Sequence, residues 1–413
     1  MLLLHNRYRS ASPSGEDRVV EQERAALAGA GHDVELLSRS SDEIRGWPAF
    51  RKAIVPAQVV WSERSRRSLL RAIRKFRPQV VHVHNVFPLL SASVLYACRA
   101  ESVPVVASLH NYRLVCPSGD LFRDDAICHD CVTRRLPSPG VRHGCYKGSA
   151  LATVPLAAGM VAHGRAWRTM VSAYVCLSVA QRNIIVQRGF PSHRLFVKPN
   201  FVPPAVDARG DREDIVVYAG RLTANKGIPL LMEAWDRYIR TAGNTRLRLV
   251  IAGTGPLQCD IARWAGDRAS VEWKGMLSHP ASRALLGRAR AAVVPSQWEE
   301  PFGLVVVEAM AAGVPAVAPR HGSFPELITD GLDGVLFESG SSSSLAAVFH
   351  HVEANPDWYD GLGLSARLTY ERRFTREANL KQLLRIYRFA EEHPAPAPPD
   401  DPYRNPAKDR TPF

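Results

Sequence analysis

Long hydrophobic runs are missing from this sequence. Its opening, MLLLHNRYRS, has three consecutive leucines before polar residues begin, which is shorter than the core of a signal peptide. The longest weakly polar stretch, residues 150–162, contains a proline and falls well short of the roughly 20 residues that span a bilayer. We therefore expect no export signal and no transmembrane helix, and we predict a cytoplasmic location.

Cysteine and acidic residues are also scarce. Seven cysteines among 413 residues is an odd number in a long chain without an export signal, so a disulfide framework is not expected, and reduced thiols or a metal site are favoured. The 40 acidic residues are outnumbered by 53 lysines and arginines, which gives a net charge of +13. Such a charge suits anionic partners, including nucleotide phosphates, an acidic membrane surface or nucleic acid.

Several sequence signatures are absent. The stretch GTGPLQ lacks the third glycine of the G-x-G-x-x-G fingerprint, and no such fingerprint follows the first strand. Both observations argue against a dinucleotide-binding dehydrogenase. Basic residues are not interleaved with aromatics as in nucleic-acid-binding surfaces, so no specific nucleic-acid partner is expected. We find no internal repeat of the 20–50 residue kind.

The chain is long enough for two domains. Short β-branched runs alternate with helical periods throughout, which predicts an α/β fold with parallel sheets. In the first half, residues 2–5, 80–84 and 103–110 are expected to form buried strands, and residues 17–32 a helix. We predict an N-terminal domain over 1–197, a linker over 198–214, a C-terminal domain over 215–374, a helix over 375–392 capped by Thr375, and a disordered tail over 393–413.

The stretch EEPFGLVVVEAMAAG, residues 299–313, carries acids at both ends of an apolar run. Pro301 disfavours helix in the residue before it, so Glu300 is expected in a loop, with a helix starting near Gly303 and containing Glu308. Amides of the first turn, around Gly303 and Leu304, would then face the carboxyl edge of a parallel sheet. The sequence predicts an anion-binding site there.

Basic and glycine-rich loops follow two other predicted strands. VYAGRLTANKG places Arg221 and Lys226 after one strand, and AGTGP follows another, so both loops should open at the same sheet edge. The two cations could hold a diphosphate while carboxylates accept hydrogen bonds from sugar hydroxyls. Taken singly, Glu308 could be a partnered helix acid, and Arg221 with Lys226 could be solvated loop charges.

These motifs resemble those of the retaining glycosyltransferases of the GT-B fold, family 4 (group 1). The stretch from Glu300 to Gly313 is similar to the E-x7-E motif of that family, and GRLTANKG is similar to its diphosphate-binding loop. The resemblance covers roughly residues 1–390. It implies two Rossmann-like domains facing each other across a cleft, and transfer of a hexose from a nucleotide-diphosphate sugar to a glycan or lipid-linked acceptor, most often in cell-surface polysaccharide or glycolipid synthesis.

The resemblance also implies roles for individual residues. Glu308 would bind the donor ribose, Glu300 the hydroxyls of the transferred sugar, and Arg221 with Lys226 the diphosphate. Gly303 and Leu304 would supply amides to the same group, and Gly15, in SPSGED, would approach the donor phosphates. His110, in SLHNY, would face the donor sugar and acceptor, whereas by itself it could be a satisfied strand-end histidine. Catalysis would need no metal, and the anomeric configuration would be retained.

Other functions remain open at this point. Paired carboxylates also mark glycoside hydrolases, which need a proton donor and a nucleophile or base. A nucleotide sugar instead carries its own leaving group, so stabilising the charge on the departing diphosphate is the main task, and basic residues with helix amides suffice for it. A catalytically inactive regulator that binds nucleotide sugar is a second alternative, and a basic nucleic-acid-binding protein is a third.

Two further segments have unassigned features. Cys116, Cys128, Cys131 and Cys145 could bind a structural zinc, although their spacing fits no standard finger and thiols in a long loop are the alternative. Residues 62–78 are strongly basic, with Leu69, Ile73 and Phe76 at helical spacing. This segment could contact the inner membrane surface, or it could be an ordinary helix that covers the N-terminal domain.

Overall fold

The computed structural model describes residues 1–8, 14–205 and 212–395. They form two compact units. Unit 1 comprises Met1–Leu121, His129–Pro199 and the chain from Leu380 onward, and unit 2 comprises Phe122–Cys128 and Asn200–Asn379. The predicted linker therefore contains the point where the chain passes from unit 1 to unit 2. Its residues 206–211, and the predicted tail from 396 onward, lie outside the described residues.

Unit 1 is built on a six-stranded parallel sheet with the strand order β2-β1-β3-β4-β7-β8. Its strands are β1 (Leu2–Arg7), β2 (Glu35–Ser40), β3 (Val81–Asn85), β4 (Val105–Leu109), β7 (Ala173–Cys176) and β8 (Leu195–Val197). β1, β3 and β4 coincide with the three strands predicted in this half. The order reverses between β1 and β3, and crevices at such points are where α/β sheets bind ligands.

Helices cover both faces of this sheet. They are α1 (Gly15–Gly29), α2 (Ala49–Ala53), α3 (Val55–Val60), α4 (Glu63–Phe76), α5 (Ser93–Ala100), α6 (Ser138–Arg142), α7 (Ala150–Met170) and α8 (Val179–Gln187). The helix predicted at residues 17–32 is α1, which starts two residues earlier because Ser14 caps it by accepting from the Glu16 amide. 3₁₀ turns lie at Ser41–Ile44 and Ser192–Arg194.

Residue alternation along the strands divides the core of unit 1 between the two faces. Leu2, Leu4, Val81 and Val83 pack with α4, α5 and α7 on one face. Leu3, Val80, Val106 and Val175 pack on the other face with Leu27 of α1 and with Leu383 and Ile386 of the C-terminal helix. His82 pairs in register with Val106, so His82 and His84 of β3 lie on this second face.

Unit 2 repeats the architecture with the strand order β11-β10-β9-β12-β13-β14, and all neighbouring pairs are parallel. The strands are β9 (Glu213–Ala219), β10 (Arg248–Ala252), β11 (Val271–Trp273), β12 (Ala289–Val293), β13 (Ala316–Pro319) and β14 (Gly334–Phe337). This is the doubly wound order of the Rossmann fold, and it reverses between β9 and β12. A short hairpin, β5 (Phe122–Arg123) with β6 (Ala126–Ile127), is grouped with this unit.

The helices of unit 2 include the one predicted from the paired-acid stretch. They are α9 (Ile228–Ala242), α10 (Gln258–Gly266), α11 (His279–Arg288), α12 (Leu304–Ala311), α13 (Phe324–Leu327), α14 (Ser342–Ala354) and α15 (Pro356–Arg373), with a 3₁₀ turn at Ala224–Lys226. The last helix, α16 (Arg376–Glu392), begins after the Thr375 hydroxyl accepts from the Ala378 amide, as predicted. From Leu380 onward its residues belong to unit 1.

The basic segment 62–78 forms α4. Leu69 and Ile73 are buried in the core of unit 1, and Phe76 packs against the same core. Its basic residues face outward, and Glu63 pairs with Arg66 and Arg67. The apolar side of α4 thus serves as the covering face of a helix and is unavailable to a membrane. In the described parts of the chain, no helix combines the length and apolar character needed to cross a bilayer.

Candidate functional site

The loops after β9 and β12 meet at the point where the strand order of unit 2 reverses. The backbone N–H of Gln297 donates to the backbone carbonyl of Asn225 at 2.8 Å, which joins one loop to the other. The Nζ atom of Lys226 lies 2.6 Å from Oε2 of Glu300. Parallel strands that are adjacent in the sheet end at one edge, so residues 74 positions apart in sequence form an ion pair.

The close approach of these loops depends on glycine at position 227. Gly227 has a φ of +78°, and a Cβ atom built there would lie 1.8 Å from the carbonyl oxygen of Pro295. Any side chain would clash with backbone that cannot move aside easily. The loop after β10 joins the same edge, because the Leu222 amide donates to the Thr254 carbonyl at 3.0 Å. The expectation that both basic and glycine-rich loops share an edge is therefore confirmed.

Glu300 is held by several donors. Its Oε2 atom accepts from Lys226, from the indole Nε1 of Trp298 at 2.7 Å and from the hydroxyl of Ser296 at 3.1 Å. Lys226 also lies over the Trp298 ring, 4.8 Å from its centroid. These three contacts fix the carboxylate, which is only 9 % exposed, in one orientation. Ser296 and Trp298 were not among the predicted site residues, although both lie in VPSQWEEPFG immediately before the predicted helix.

Glu308 has a separate environment within α12. It is buried, and its Oε1 atom lies 2.9 Å from Nε2 of His279, the first residue of α11. The sequence did not indicate His279, because a histidine after a loop serine carries no motif of its own. The α12 helix begins at Leu304, with Gly303 at the N-cap in a left-handed conformation at φ +96°. In the ligand-free protein Glu308 is therefore paired with His279 of α11.

Arg221 completes the set of predicted residues in unit 2. It lies in the same loop as Lys226, and its side chain is exposed. Its backbone carbonyl accepts from the hydroxyl of Tyr218, which anchors the start of this loop. An exposed guanidinium in the same loop as an ammonium group offers positive charge to an anion. The structure thus places Arg221, Lys226, Glu300, Gly303 and Leu304 on loops and a helix start at one end of the unit 2 sheet.

In unit 1, His110 follows β4 and joins a buried polar network. Its Nε2 atom lies 3.0 Å from Nδ1 of His84, and the two rings stack at a centroid distance of 5.3 Å. Burial is the main reason that the pKa values of both histidines lie well below their ordinary value, and the nearby histidines and Lys198 act in the same direction. Both rings are therefore neutral near pH 7.

His110 and His84 also line the large pocket of unit 1. The pocket has a cavity volume of about 140 Å³ and is open to solvent. Its polar lining includes both His110 and Arg113. Its apolar walls come mainly from α7 and the segment after α8, through Leu156, Met160, Trp167 and Phe190. The pocket is therefore polar around His110 and mainly apolar along α7, which also contributes His163 and Arg168.

Gly15 begins α1 at the carboxyl end of β1. Residues 9–13 lie outside the described residues, and Ser12 and Pro13 of the predicted glycine loop are among them. The first turn of α1 carries Glu16 and Asp17, and Asp17 accepts from His5 at 2.6 Å. Burial, followed by the charge of Asp17, raises the pKa of Glu16 to about 8. A protonated Glu16 would leave less negative charge near Gly15 than the sequence suggests.

The four cysteines predicted as zinc ligands lie between the end of β4 and the start of α7. Cys116 and Cys131 are buried, and Cys128 and Cys145 are partly exposed. Among the described residues, the single group of three or more potential ligands with donor atoms within 4.8 Å of one another is Glu23, His82 and His84. That group contains no cysteine, and the four-thiolate zinc site stays a prediction. Measuring the zinc content of the purified protein and of a Cys128→Ser variant would test it.

Comparison with known families agrees with this architecture. The profile described as "Glycosyltransferase Family 4" matches residues 13–206, and the one described as "Glycosyl transferases group 1" matches residues 204–370. The chain is a group 1 glycosyltransferase. The two profiles meet close to the point where the chain leaves unit 1 for unit 2.

Relatives of this glycosyltransferase include a glycogen synthase of Mycobacterium tuberculosis, 29% identical over 380 residues and covering 83% of each chain. A D-inositol 3-phosphate glycosyltransferase of Thermobifida fusca is 32% identical over 186 residues, covering 43% of this chain and 42% of its own.

Solved structures show the GT-B fold. Sucrose-phosphate synthase from Thermosynechococcus elongatus matches with a TM-score of 0.67 at 18% identity, covering 94% of this chain and 98% of its own. Anabaena Alr3699/HepE, solved in complex with UDP-glucose, matches with a TM-score of 0.62 at 16% identity, covering 93% and 98%.

Proposed function

We propose that this glycosyltransferase moves a hexose from a nucleoside diphosphate sugar to an amphipathic acceptor, with retention of the anomeric configuration. The observation that carries the proposal is the ion pair of Lys226 with Glu300, beside exposed Arg221, where the strand order of unit 2 reverses. This arrangement presents cations for a diphosphate and a fixed carboxylate for sugar hydroxyls. Structures of HepE with UDP and with UDP-glucose support the donor class.

The chemistry follows from charge development on the leaving group. As the bond between the anomeric carbon and the diphosphate oxygen breaks, negative charge accumulates on the diphosphate. Arg221, Lys226 and the amides at the start of α12 would stabilise that charge in the transition state. Glu300, held by Ser296, Trp298 and Lys226, would accept hydrogen bonds from the hydroxyls of the sugar. Glu308, oriented by His279, would bind the ribose.

Retention is a part of the proposal that the resemblance to the retaining family supports. It would place the incoming hydroxyl on the face that the diphosphate leaves, with a phosphate oxygen taking the proton. Proton NMR of the first product formed would test it directly. The coupling constant of the anomeric proton should report the same configuration as in the donor, and an inverted product would overturn retention while leaving the transferase assignment intact.

Nucleotide binding is the first experiment. Calorimetric titration with UDP, GDP and ADP should show binding of one nucleotide, and both Arg221→Ala and Glu308→Ala should weaken it. Arg240→Ala removes an exposed positive charge from the far end of α9 and serves as the control for net charge. Equal loss in all three variants, or no binding to folded protein, would overturn the donor site. Binding without sugar transfer to any acceptor would favour the inactive regulator.

The acceptor half of the proposal rests on the unit 1 pocket. Polar groups near His110 suit a hydroxyl-bearing or phosphorylated head, and the apolar walls suit a hydrocarbon portion. The outer side of α7 continues this apolar character, because Leu151, Val154 and Val161 are 86%, 46% and 54% exposed and lie on one helical stripe. A lipid-linked acceptor at an anionic membrane surface fits these features, which would place the enzyme on the cytoplasmic membrane in glycolipid or polysaccharide synthesis.

This proposal moves the expected membrane contact from α4 to α7. Co-sedimentation with vesicles of anionic phospholipid should retain the wild-type protein and should fall for a Leu151→Glu/Val154→Glu variant. Leu364→Glu is a matched control, since Leu364 is 73% exposed on α15 of unit 2. If the control loses binding equally, or wild-type protein binds neutral and anionic vesicles alike, the α7 surface is not an electrostatically assisted membrane contact.

A further inference from the structure

Three buried polar side chains lead from the interior of unit 1 to His110, which is partly exposed at the pocket. Lys198 donates to Oε1 of Glu23 at 2.6 Å, and both side chains are almost fully buried. The other carboxylate oxygen, Oε2, lies 3.7 Å from Nε2 of His84. On the far side of that ring, Nδ1 of His84 lies 3.0 Å from Nε2 of His110. The elements that supply these four side chains are the end of β8, helix α1, strand β3 and the end of β4.

The two atoms at the 3.7 Å separation have no other partner. Among the buried side-chain atoms that the structure describes, Glu23 Oε2 and His84 Nε2 both lack a hydrogen bond. Each atom therefore faces the other at 3.7 Å without a competing hydrogen bond. A distance of 3.7 Å is too long for a hydrogen bond, yet in a buried site it is short enough for the carboxylate charge to decide which way an N–H dipole points.

That charge selects one arrangement of protons. Because His84 and His110 are neutral, each ring carries a single proton. If Nε2 of His84 were unprotonated, its lone pair would face a carboxylate oxygen, which is unfavourable. If Nε2 carries the proton, Nδ1 of His84 must accept from His110, and His110 must then carry its own proton on Nε2. The lone pair of His110 is left on Nδ1.

We propose that Glu23 and His84 are positioning residues that hold His110 as the tautomer protonated at Nε2, so that its Nδ1 accepts a hydrogen bond from a hydroxyl of the bound substrate. His110 lines the pocket assigned above to the acceptor, so the effect on activity rests on the proposed function. The tautomer itself does not depend on that function and can be measured in the ligand-free protein.

Metal binding is the competing use of the same residues, since Glu23, His82 and His84 have donor atoms close together. Two observations argue against it. Both ring nitrogens of His82 are already engaged, with the Tyr387 hydroxyl at 2.7 Å and the Ser108 hydroxyl at 2.8 Å. The Lys198 ammonium group also forms an ion pair with Glu23 and would repel a second cation. The network is better suited to ordering protons than to holding an ion.

Glu23→Gln is the decisive substitution, because Lys198 determines how the new amide is oriented. The ammonium group needs an acceptor, so the Gln carbonyl oxygen should take the place of Oε1 and the NH₂ group should face Nε2 of His84. His84 must then accept at Nε2 and donate from Nδ1, and His110 must accept at Nε2 and carry its proton on Nδ1. The variant should reverse the tautomers of both rings while keeping their positions.

Nitrogen-15 NMR of protein labelled in histidine reads the tautomers directly, with His110→Asn used to assign the signals. In the wild-type protein His110 should be protonated at Nε2, and in Glu23→Gln at Nδ1. The wild-type spectrum alone can overturn the proposal if His110 is protonated at Nδ1, so the test survives a variant that does not fold. An unchanged His110 tautomer in folded Glu23→Gln would overturn it as well.

Activity then provides a second readout. With the wrong tautomer, kcat should fall about 100-fold, the scale of lost hydrogen bonding to a reacting group, while the KM for the donor changes little. Tyr387→Phe is the matched control. It removes a buried hydroxyl that contacts His82 in the same cluster, so it should lower stability without altering either the His110 tautomer or kcat. Equal loss of kcat in both variants would assign Glu23 a purely structural role.

Discussion

Lys226 and Glu300 form an ion pair at 2.6 Å although they lie on different loops of unit 2. The pair is partly buried and shares its carboxylate oxygen with the hydroxyl of Ser296 and the indole of Trp298. In the ligand-free protein, Lys226 therefore neutralises Glu300. A bound diphosphate would compete for the same ammonium group, so donor binding and the orientation of Glu300 are physically linked.

Replacing Lys226 should reveal that link. We expect Lys226→Ala to lower kcat/KM for the donor about 100-fold to 1000-fold, since a preorganised cation at a developing charge contributes on this scale. Lys226→Arg keeps the charge but not the shape, and it should recover part of the loss. Steady-state kinetics with the identified donor measures both. If Lys226→Ala retains wild-type kcat/KM, the lysine is only a structural partner of Glu300.

Gly227 provides a test of the loop geometry. Gly227→Ala should destabilise the protein by about 3 kcal/mol or more, because its Cβ would clash with the Pro295 carbonyl and the backbone has positive φ. Gly266→Ala is the control: no atom lies within 4 Å of the added Cβ at the end of α10, so its change should stay within about 1 kcal/mol. Urea denaturation compares the two, and equal stabilities would contradict the close loop contact.

His279 should affect nucleotide binding through Glu308. His279→Ala removes the partner of the buried carboxylate, and we expect weaker binding of the preferred nucleoside diphosphate by about tenfold. His279→Gln can still donate to Glu308 and should bind more tightly than His279→Ala. Calorimetry with the nucleoside diphosphate provides the measurement. Unchanged affinity in His279→Ala would show that Glu308 needs no orienting partner, or that it does not contact the nucleotide.

Glu16 should make stability depend on pH. The pKa of this carboxyl is raised to about 8 in the folded protein, from a reference value of 4.5. Between these values the folded state retains a proton that the unfolded state releases, so stability falls as pH rises. The slope from this group is at most about 1.4 kcal/mol per pH unit.

Urea denaturation from pH 5 to pH 8 would measure that slope. Glu16→Gln should flatten the profile and be the more stable protein at the upper end. Glu392→Gln, at the exposed end of α16, is a control that should leave the profile unchanged. A steeper fall with pH in Glu16→Gln would contradict the assignment.

The sequence by itself determined the fold class and the start of α12. Alternating strand and helix patterns specify parallel α/β units, and the strands and helices predicted around β1, β3, β4, α12 and α16 are confirmed. Pro301 and Gly303 fixed where α12 begins, because proline and glycine restrict the backbone locally. Such signals act over a few residues, and they can therefore be recognised in a single sequence.

Only the tertiary structure decided which side chains meet. The contacts of Lys226 with Glu300, of His279 with Glu308, and of Glu23 with Lys198 join residues 74, 29 and 175 positions apart. The packing of strands and helices within each unit brings these residues into contact. No local sequence pattern encodes such contacts. The same limit explains why α4 was an open candidate for membrane contact. Helical spacing identifies its apolar face, whereas packing in unit 1 determines that this face is buried.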